Sequence, residues 1–333
     1  IKKHKNIMVY HKENEGVSAT RNTGLDNCRG EYITYVDSDD FLEPNALSLM
    51  LKKLLELDVD IVIGSFNKVS SEGDLLASNQ NTDGDSLLDA NEIVKYTISY
   101  LRNPRKNQML MSCWAKLFRM SIIEKNSIRF DTSMDNGEDI DFNFNYLSYV
   151  KSVLFIEQTV YNHQKNMSYN SLSTRIPENP RKLFGFIDVL DRIKNFVDSH
   201  NPGRDIEKDL AHFYVYQSVL FMIRLCGQVN PENKNRLSKF ITNFINEMTY
   251  TFKFISDKSS KIDSTRFICL GIIIVKIFLY FSLIVKCEVA HNISSVGCVL
   301  AAHHIFLSFI LFKKIISNFL FELLVILENL RFP

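Results

Sequence analysis

Between about residues 5 and 165, short apolar runs alternate with segments of helical spacing, and this alternation constrains the fold more than any other feature of the chain. Alternation of that kind lays helices over a sheet and points to an α/β domain. Asn6 to Tyr10 (NIMVY) and Glu31 to Val36 (EYITYV) read as strands, being β-branched and aromatic. Ser18 to Cys28 reads as a helix between them, closed by Gly30, with Gly16 making the turn that precedes it and Ser18 placed to cap it. Pro44 to Leu57 reads as an amphipathic helix with Pro44 in its first position, followed by the buried strand Asp60 to Ser65 (DIVIGS). The polar stretch from Ser70 to Asp89 reads as a mobile surface loop or an irregular hairpin.

After Pro177 and Pro180 the texture turns helical, which divides the chain into an α/β part, residues 1–175, and a helical part, residues 176–333. From about residue 266 the helical part becomes apolar. Phe267 to Val285 carries one charge, Lys276; Val296 to Phe312 contains His303 and His304; Phe319 to Leu327 is shorter. A spanning helix needs about 20 apolar residues, and a mid-span charge costs about 3 kcal/mol. Arg266, Lys286, Lys313 and Lys314 would suit anionic headgroups. Three readings stand open: buried helices of a small bundle, helices lying in the membrane surface, and one or two true spans. His303 and His304 have no helical-spacing partners and read as structural.

Composition excludes little else. Charged residues make up 23% and the net charge is +1, so no global field recruits nucleic acid. The cysteines (Cys28, Cys113, Cys226, Cys269, Cys287 and Cys298) form no C-x-x-C pair and read as reduced thiols in a reducing compartment. No secretory leader is expected within Ile1 to Tyr10, which is basic and short.

The chemistry concentrates in two places. Asp37-Ser38-Asp39-Asp40 follows the strand EYITYV. On extended backbone Asp37 and Asp39 would share a face, forming a hard-oxygen site whose open positions a diphosphate can fill. The same residues also read as an acidic turn, with Asp40 or Glu43 capping the next helix. Upstream, Arg21 and Asn22 fall in the first turns of a helix, where a cation opposes the helix dipole. An arginine there has a carboxylate or phosphate partner, or is an ordinary surface residue. In the second place, Glu138-Asp139 stands at a predicted helix start, where backbone N–H groups hold a carboxylate ionised; it reads as a base or as a cap. Trp114, the only tryptophan, would stack on a sugar or fill the core.

The stretch Asn14 to Pro44 (NEGVSATRNTGLDNCRGEYITYVDSDDFLEP) resembles the central motif block of family 2 glycosyltransferases. A second block is similar to the same family: Trp114 to Arg119 (WAKLFR), Ile128 to Phe130, and Asn136 to Phe142 (NGEDIDF). The resemblance covers about residues 5 to 175 and implies a GT-A fold, a Rossmann-like mixed sheet flanked by helices, followed by an α-helical C-terminal region. It implies metal binding (Mn²⁺ or Mg²⁺) by Asp37 and Asp39, and a donor pocket built by these two with Arg21 and Asn22. Asp139 would be the catalytic base with Glu138 beside it, and Trp114 would lie on the acceptor side. Tyr161-Asn162-His163 and Ser168 to Arg175 look like the family segment that closes over the donor, which makes His163 and Arg175 pyrophosphate contacts. The implied reaction is an inverting transfer from a nucleotide-diphosphate sugar, a UDP-sugar foremost, to a glycan or lipid-linked glycan. The implied setting is bacterial surface-polysaccharide synthesis, in the cytoplasm at the inner face of the plasma membrane, with peripheral membrane contact through the C-terminal helices. The family's opening strands, which hold base and ribose, are not matched, so roughly the first 60 residues of a full domain are expected to be missing and the chain alone to bind donor weakly. The rival readings are a truncated, non-catalytic relic or membrane-docking partner, and nucleotidyl transfer, whose Gly-rich phosphate loop is not seen.

Overall fold

The computed structural model describes residues 6–79, 84–104, 108–134, 137–165 and 185–226. These belong to one compact unit, Ile1–Ile262. Arg175 and the apolar runs beyond residue 266 lie outside the described residues. Among the described residues no helix is long and apolar enough to cross a membrane.

The elements, in order, are α1 (Val17–Asn27), β1 (Tyr32–Ile33), β2 (Phe41–Leu42), α2 (Ala46–Leu57), β3 (Ile61–Val69), β4 (Leu75–Asn79) and β5 (Ser86–Asp89). They continue with α3 (Ala90–Arg102), β6 (Lys116–Arg119), α4 (Met120–Lys125), α5 (Glu138–Leu147), β7 (Ser152–Gln164), α6 (Gly185–His200) and α7 (Glu207–Cys226). The sheet runs β1-β6-β3-β7-β2, with β4 added to β3 and β5 to β7. β3 and β7 are parallel, while the other strand pairs are antiparallel. This is the α/β arrangement that the alternation of periods implies, with the mixed sheet flanked by helices that the resemblance implies.

The long strands form where the apolar runs are β-branched and uninterrupted. β3 is buried almost throughout and so reads as a continuous hydrophobic run with no alternation. Its partner β7 follows it in register until an irregularity between Ile63 and Ser65. Gly64 sits there, and a Cβ on it would lie 2.3 Å from Cγ2 of Val160 in β7. The Val160 side chain fills the space that a side chain at position 64 would need.

Several expectations about local structure are corrected. Ile7 to Tyr10 form no strand and are exposed, because no neighbouring strand supplies a hydrogen-bond ladder. The strand around Tyr32 is short, leaving only a bridge from Tyr35 to Trp114 beyond Ile33. α2 starts at Ala46 behind Asn45, so Pro44 precedes the helix. The Ser70 to Asp89 stretch supplies a hairpin arm, β4, and the separate strand β5.

The helix that carries the second motif is held from three sides. Phe142 of α5 stacks on Phe130 at 4.1 Å and meets Phe118 edge-on, with Tyr35 packed against all three rings. Tyr146 donates to the Asp60 carbonyl at 2.7 Å and accepts from the Arg119 amide. Buried Asp141 receives Arg192 of α6 at 2.9 Å. Aromatic packing and charge pairing together therefore fix the start of α5 relative to the sheet.

Candidate active site

Gly16 takes a left-handed backbone conformation, φ 91°, and turns the chain directly into α1. The turn falls early enough that the helix begins at Val17. Ser18 is thus inside the helix, buried, with no hydrogen-bond partner for its hydroxyl, and it does not cap. One turn later Arg21 points away from solvent. Its guanidinium bonds Asp37 at 3.1 Å and Glu138 at 3.4 Å, pairs closely with Asp139, and lies 5.2 Å over the Phe130 ring. Burial disfavours its charge, but Asp139 and the other acids outweigh burial and raise its pKa further. Asn22 uses both ends of its amide on the Phe130 backbone, donating at 2.8 Å and accepting at 2.9 Å. In this structure Asn22 is a clamp that orients α1, and with it Arg21.

Asp37 to Asp40 form a turn closed by the Asp40 amide on the Asp37 carbonyl, not an extended strand end. The strand alternation that was to place Asp37 and Asp39 on one face is therefore absent. The Tyr161 hydroxyl on β7 accepts from the Asp37 amide at 3.1 Å and donates to Asp40 at 2.7 Å. The Gln164 amide donates to the other oxygen of Asp40, and Asn162 donates to Glu43. Asp40 and Glu43 thus tie the acidic turn to β7 and do not cap α2. Asp39 stands exposed at the tip. Tyr161 carries no chemistry that spacing alone would reveal; its signal is a phenol on a buried strand, which needs a polar partner for its hydroxyl.

Glu138 and Asp139 open α5 behind Gly137, φ 92°, at the positive end of the helix dipole. Asp139 also accepts from the Cys113 amide at 3.2 Å. Burial raises the carboxyl pKa of both residues; for Glu138 the neighbouring Asp139 adds to this, and for Asp139 the Arg21 charge opposes it. The expected ionised carboxylate at a helix start is thus also a desolvated one with increased proton affinity, which suits a proton acceptor.

Trp114 is half-buried and stacks on Tyr161 at 4.7 Å and on His163 at 5.5 Å, with Phe66 edge-on. It therefore serves as core and as a candidate platform at once. The Nδ1 atom of His163 is buried with no hydrogen-bond partner. The structure thus gathers Arg21, Asp37, Glu138 and Asp139 into direct contact and links Trp114 and His163 to the same turn through Tyr161. Cys28 and Cys113 are free thiols among the described residues.

The chain is similar to known proteins. The family described as Glycosyl transferase family 2 matches residues 1–126. Glycosyltransferase GlyA of Streptococcus pneumoniae is 31% identical over 230 residues, covering 67% of this chain and 30% of the relative. EpsH of Bacillus subtilis, a glycosyltransferase by name, is 26% identical over 220 residues, covering 65% of this chain and 60% of its own. The solved structure of S. aureus TarS 1-349 in complex with UDP-GlcNAc is similar at 18% identity and a TM-score of 0.48, over 69% of this chain and 61% of that one. The chain thus spans 30% of the length of GlyA and 60% of that of EpsH.

Proposed function

We propose that this chain, whose residues 1–126 match the family described as Glycosyl transferase family 2, moves a sugar from a nucleotide-diphosphate sugar, a UDP-sugar foremost, onto a hydroxyl of a glycan or lipid-linked glycan with inversion. One observation carries the reading: a single buried cation, Arg21, joins Asp37 of the first motif to Asp139 of the second, 118 residues from Arg21 in sequence. The donor-side and acceptor-side acids therefore sit within one side chain's reach.

In this reaction the bond from the anomeric carbon to phosphate breaks, and the nucleoside diphosphate leaves with the electron pair. The acceptor oxygen attacks the opposite face and gives its proton to Asp139, which becomes a neutral carboxylic acid. The transition state has oxocarbenium character, as in glycoside hydrolysis. Burial of Asp139 brings its proton affinity closer to working pH, and the Cys113 amide holds the carboxyl in place. Glu138 lines the acceptor side, with Trp114 as the stacking surface. Arg21 is placed to balance charge on the departing diphosphate, and Asn22 supports it from Phe130. His163, and Arg175 by resemblance alone, are diphosphate contacts.

Asp37 and Asp39 are the residues that would hold Mn²⁺ or Mg²⁺. Among the described residues no group of three or more His, Cys, Asp or Glu is arranged to hold a metal. Two hard oxygen donors on a turn fit an ion that takes its other ligands from substrate oxygens. When bound, such an ion neutralises charge on the diphosphate. We place the activity in bacterial surface-polysaccharide synthesis, in the cytoplasm at the inner face of the plasma membrane, with the apolar segment after about residue 266 as its peripheral membrane contact.

Calorimetric titration of UDP and GDP with and without Mn²⁺ tests the donor side. Binding of UDP is expected to depend on Mn²⁺ and to weaken by about 10- to 100-fold in Asp39→Ala, the scale seen when metal sites lose supporting groups. Binding of equal strength in the variant, or without metal, would overturn the metal assignment.

A further inference from the structure

Lys116 is buried to 1% exposure, yet among the described residues no acidic side chain bonds it. A desolvated ammonium with no carboxylate partner costs several kcal/mol, so its retention at the edge of the site calls for a reason. Its Nζ donates to the carbonyl of Ser112 and, at 3.5 Å, to that of Trp114. The Ser112 carbonyl also accepts from Asn143 of α5 at 2.9 Å. Between the two carbonyls lies Cys113, whose amide holds Asp139. After them comes Ala115 in the left-handed region, φ 56°, a conformation that costs a residue with a Cβ about 1–3 kcal/mol. The Ala115 carbonyl is anchored by the Gly64 amide at 2.9 Å. The strained backbone is thus pinned on its far side by β3 and on its near side by a buried cation.

We propose that Lys116 is the positioning residue of this site. Its ammonium gathers the carbonyls of Ser112 and Trp114, and so fixes the loop that presents the Cys113 amide to Asp139 and lays the indole of Trp114 over Tyr161 and His163. The proposal rests on the reading of Asp139 as the base, but the geometry it describes can be read without activity. Loss of the ammonium frees the Trp114 carbonyl, leaves that of Ser112 to Asn143 alone, and relaxes both the carboxylate contact and the aromatic stack together. Burial lowers the Lys116 pKa to about 8, while Cys113 and Asp139, the titratable groups facing it, oppose the shift. Arg21 and Glu138 lie beyond Asp139. The site is therefore expected to loosen as pH rises through about 8.

Trp114 is the only tryptophan, so its fluorescence reports this loop alone. Emission of the unmodified chain is expected to change between about pH 7 and 9 with a midpoint near 8. The change should persist in His163→Asn, which removes the imidazole stacked on the indole. It should vanish in Lys116→Met and in Lys116→Arg, whose cation does not titrate in that range. UDP binding in the presence of Mn²⁺ is measured alongside in each form. No emission change in the unmodified chain, or one that survives in either Lys116 variant, would overturn the proposal. If Lys116→Met does not fold, the unmodified chain and Lys116→Arg decide it. Failure of nucleotide binding in every form would count against the transferase reading and leave the emission result standing.

Discussion

Asp139→Asn is expected to lower the rate of sugar transfer by at least about a thousandfold while nucleotide binding stays intact, because general-base contributions reach about 10²–10⁴. The substitution keeps the volume and one carbonyl oxygen that can still accept from the Cys113 amide, so the loop and the start of α5 should remain in place. The lost function is the ability to take up a proton. The measurement is steady-state release of UDP from a UDP-sugar, with calorimetric UDP binding alongside. A variant within a few-fold of the unmodified rate would mean that another group, Glu138 first, accepts the proton. A parallel loss of nucleotide binding would instead make Asp139 part of the donor pocket.

The second large effect lies at Arg21. Arg21→Met is expected to destabilise the fold by about 3–5 kcal/mol near neutral pH, the cost of leaving buried charges uncompensated. Glu138 and Asp139 keep only small exposed fractions, 14% and 17%, so solvent screening relieves little of this. The dependence on pH has a definite sign. Burial already raises the pKa values of both carboxyls, and the Arg21 charge opposes that rise at each. Without it, the folded state holds protons that the unfolded state releases from its ordinary values of 3.8 and 4.5 upward. Stability contributed by these groups is present below those values and lost as pH rises through the folded-state ones. Thermal melts of Arg21→Met should therefore approach those of the unmodified chain near pH 4 and diverge toward pH 7.5. A constant difference across that range would show that Arg21 acts through packing on Phe130 and not through charge.

The motif residues and the α/β class were legible in the sequence because both depend on local order: period along a strand or helix, and acids at element ends. Arg21 was legible too, since a cation in the first turns of a helix needs a reason, and the structure supplies three carboxylates. What could not be read were contacts between distant segments. Asp40 and Glu43 looked like caps for α2 because Pro44 follows them, but β7 competes for them with Tyr161, Gln164 and Asn162. Ser18 looked like a cap because serine commonly is one; the early turn at Gly16 moved it inside α1. NIMVY has strand composition, but a strand exists only with a neighbour, and composition says nothing about neighbours. Lys116 lies within the WAKLFR motif, yet its residue type gives no sign of burial, because lysine is seldom buried.

The close passage of β3 and β7 at Gly64 constrains how such a chain can change over generations. Val160 fills the space that any side chain at position 64 would need. Gly64→Ala alone forces two methyl-bearing carbons into one volume, while Val160→Ala alone opens a hole in the core. Each single change is harmful, and the pair Gly64→Ala with Val160→Ala is expected to cost much less than their sum, a coupling that thermal melts of the three variants would reveal. The two positions form a valley between two acceptable states, 96 residues apart by their numbering. A lineage or a library that varies one position at a time would find the site frozen, although the sheet itself would tolerate the alternative.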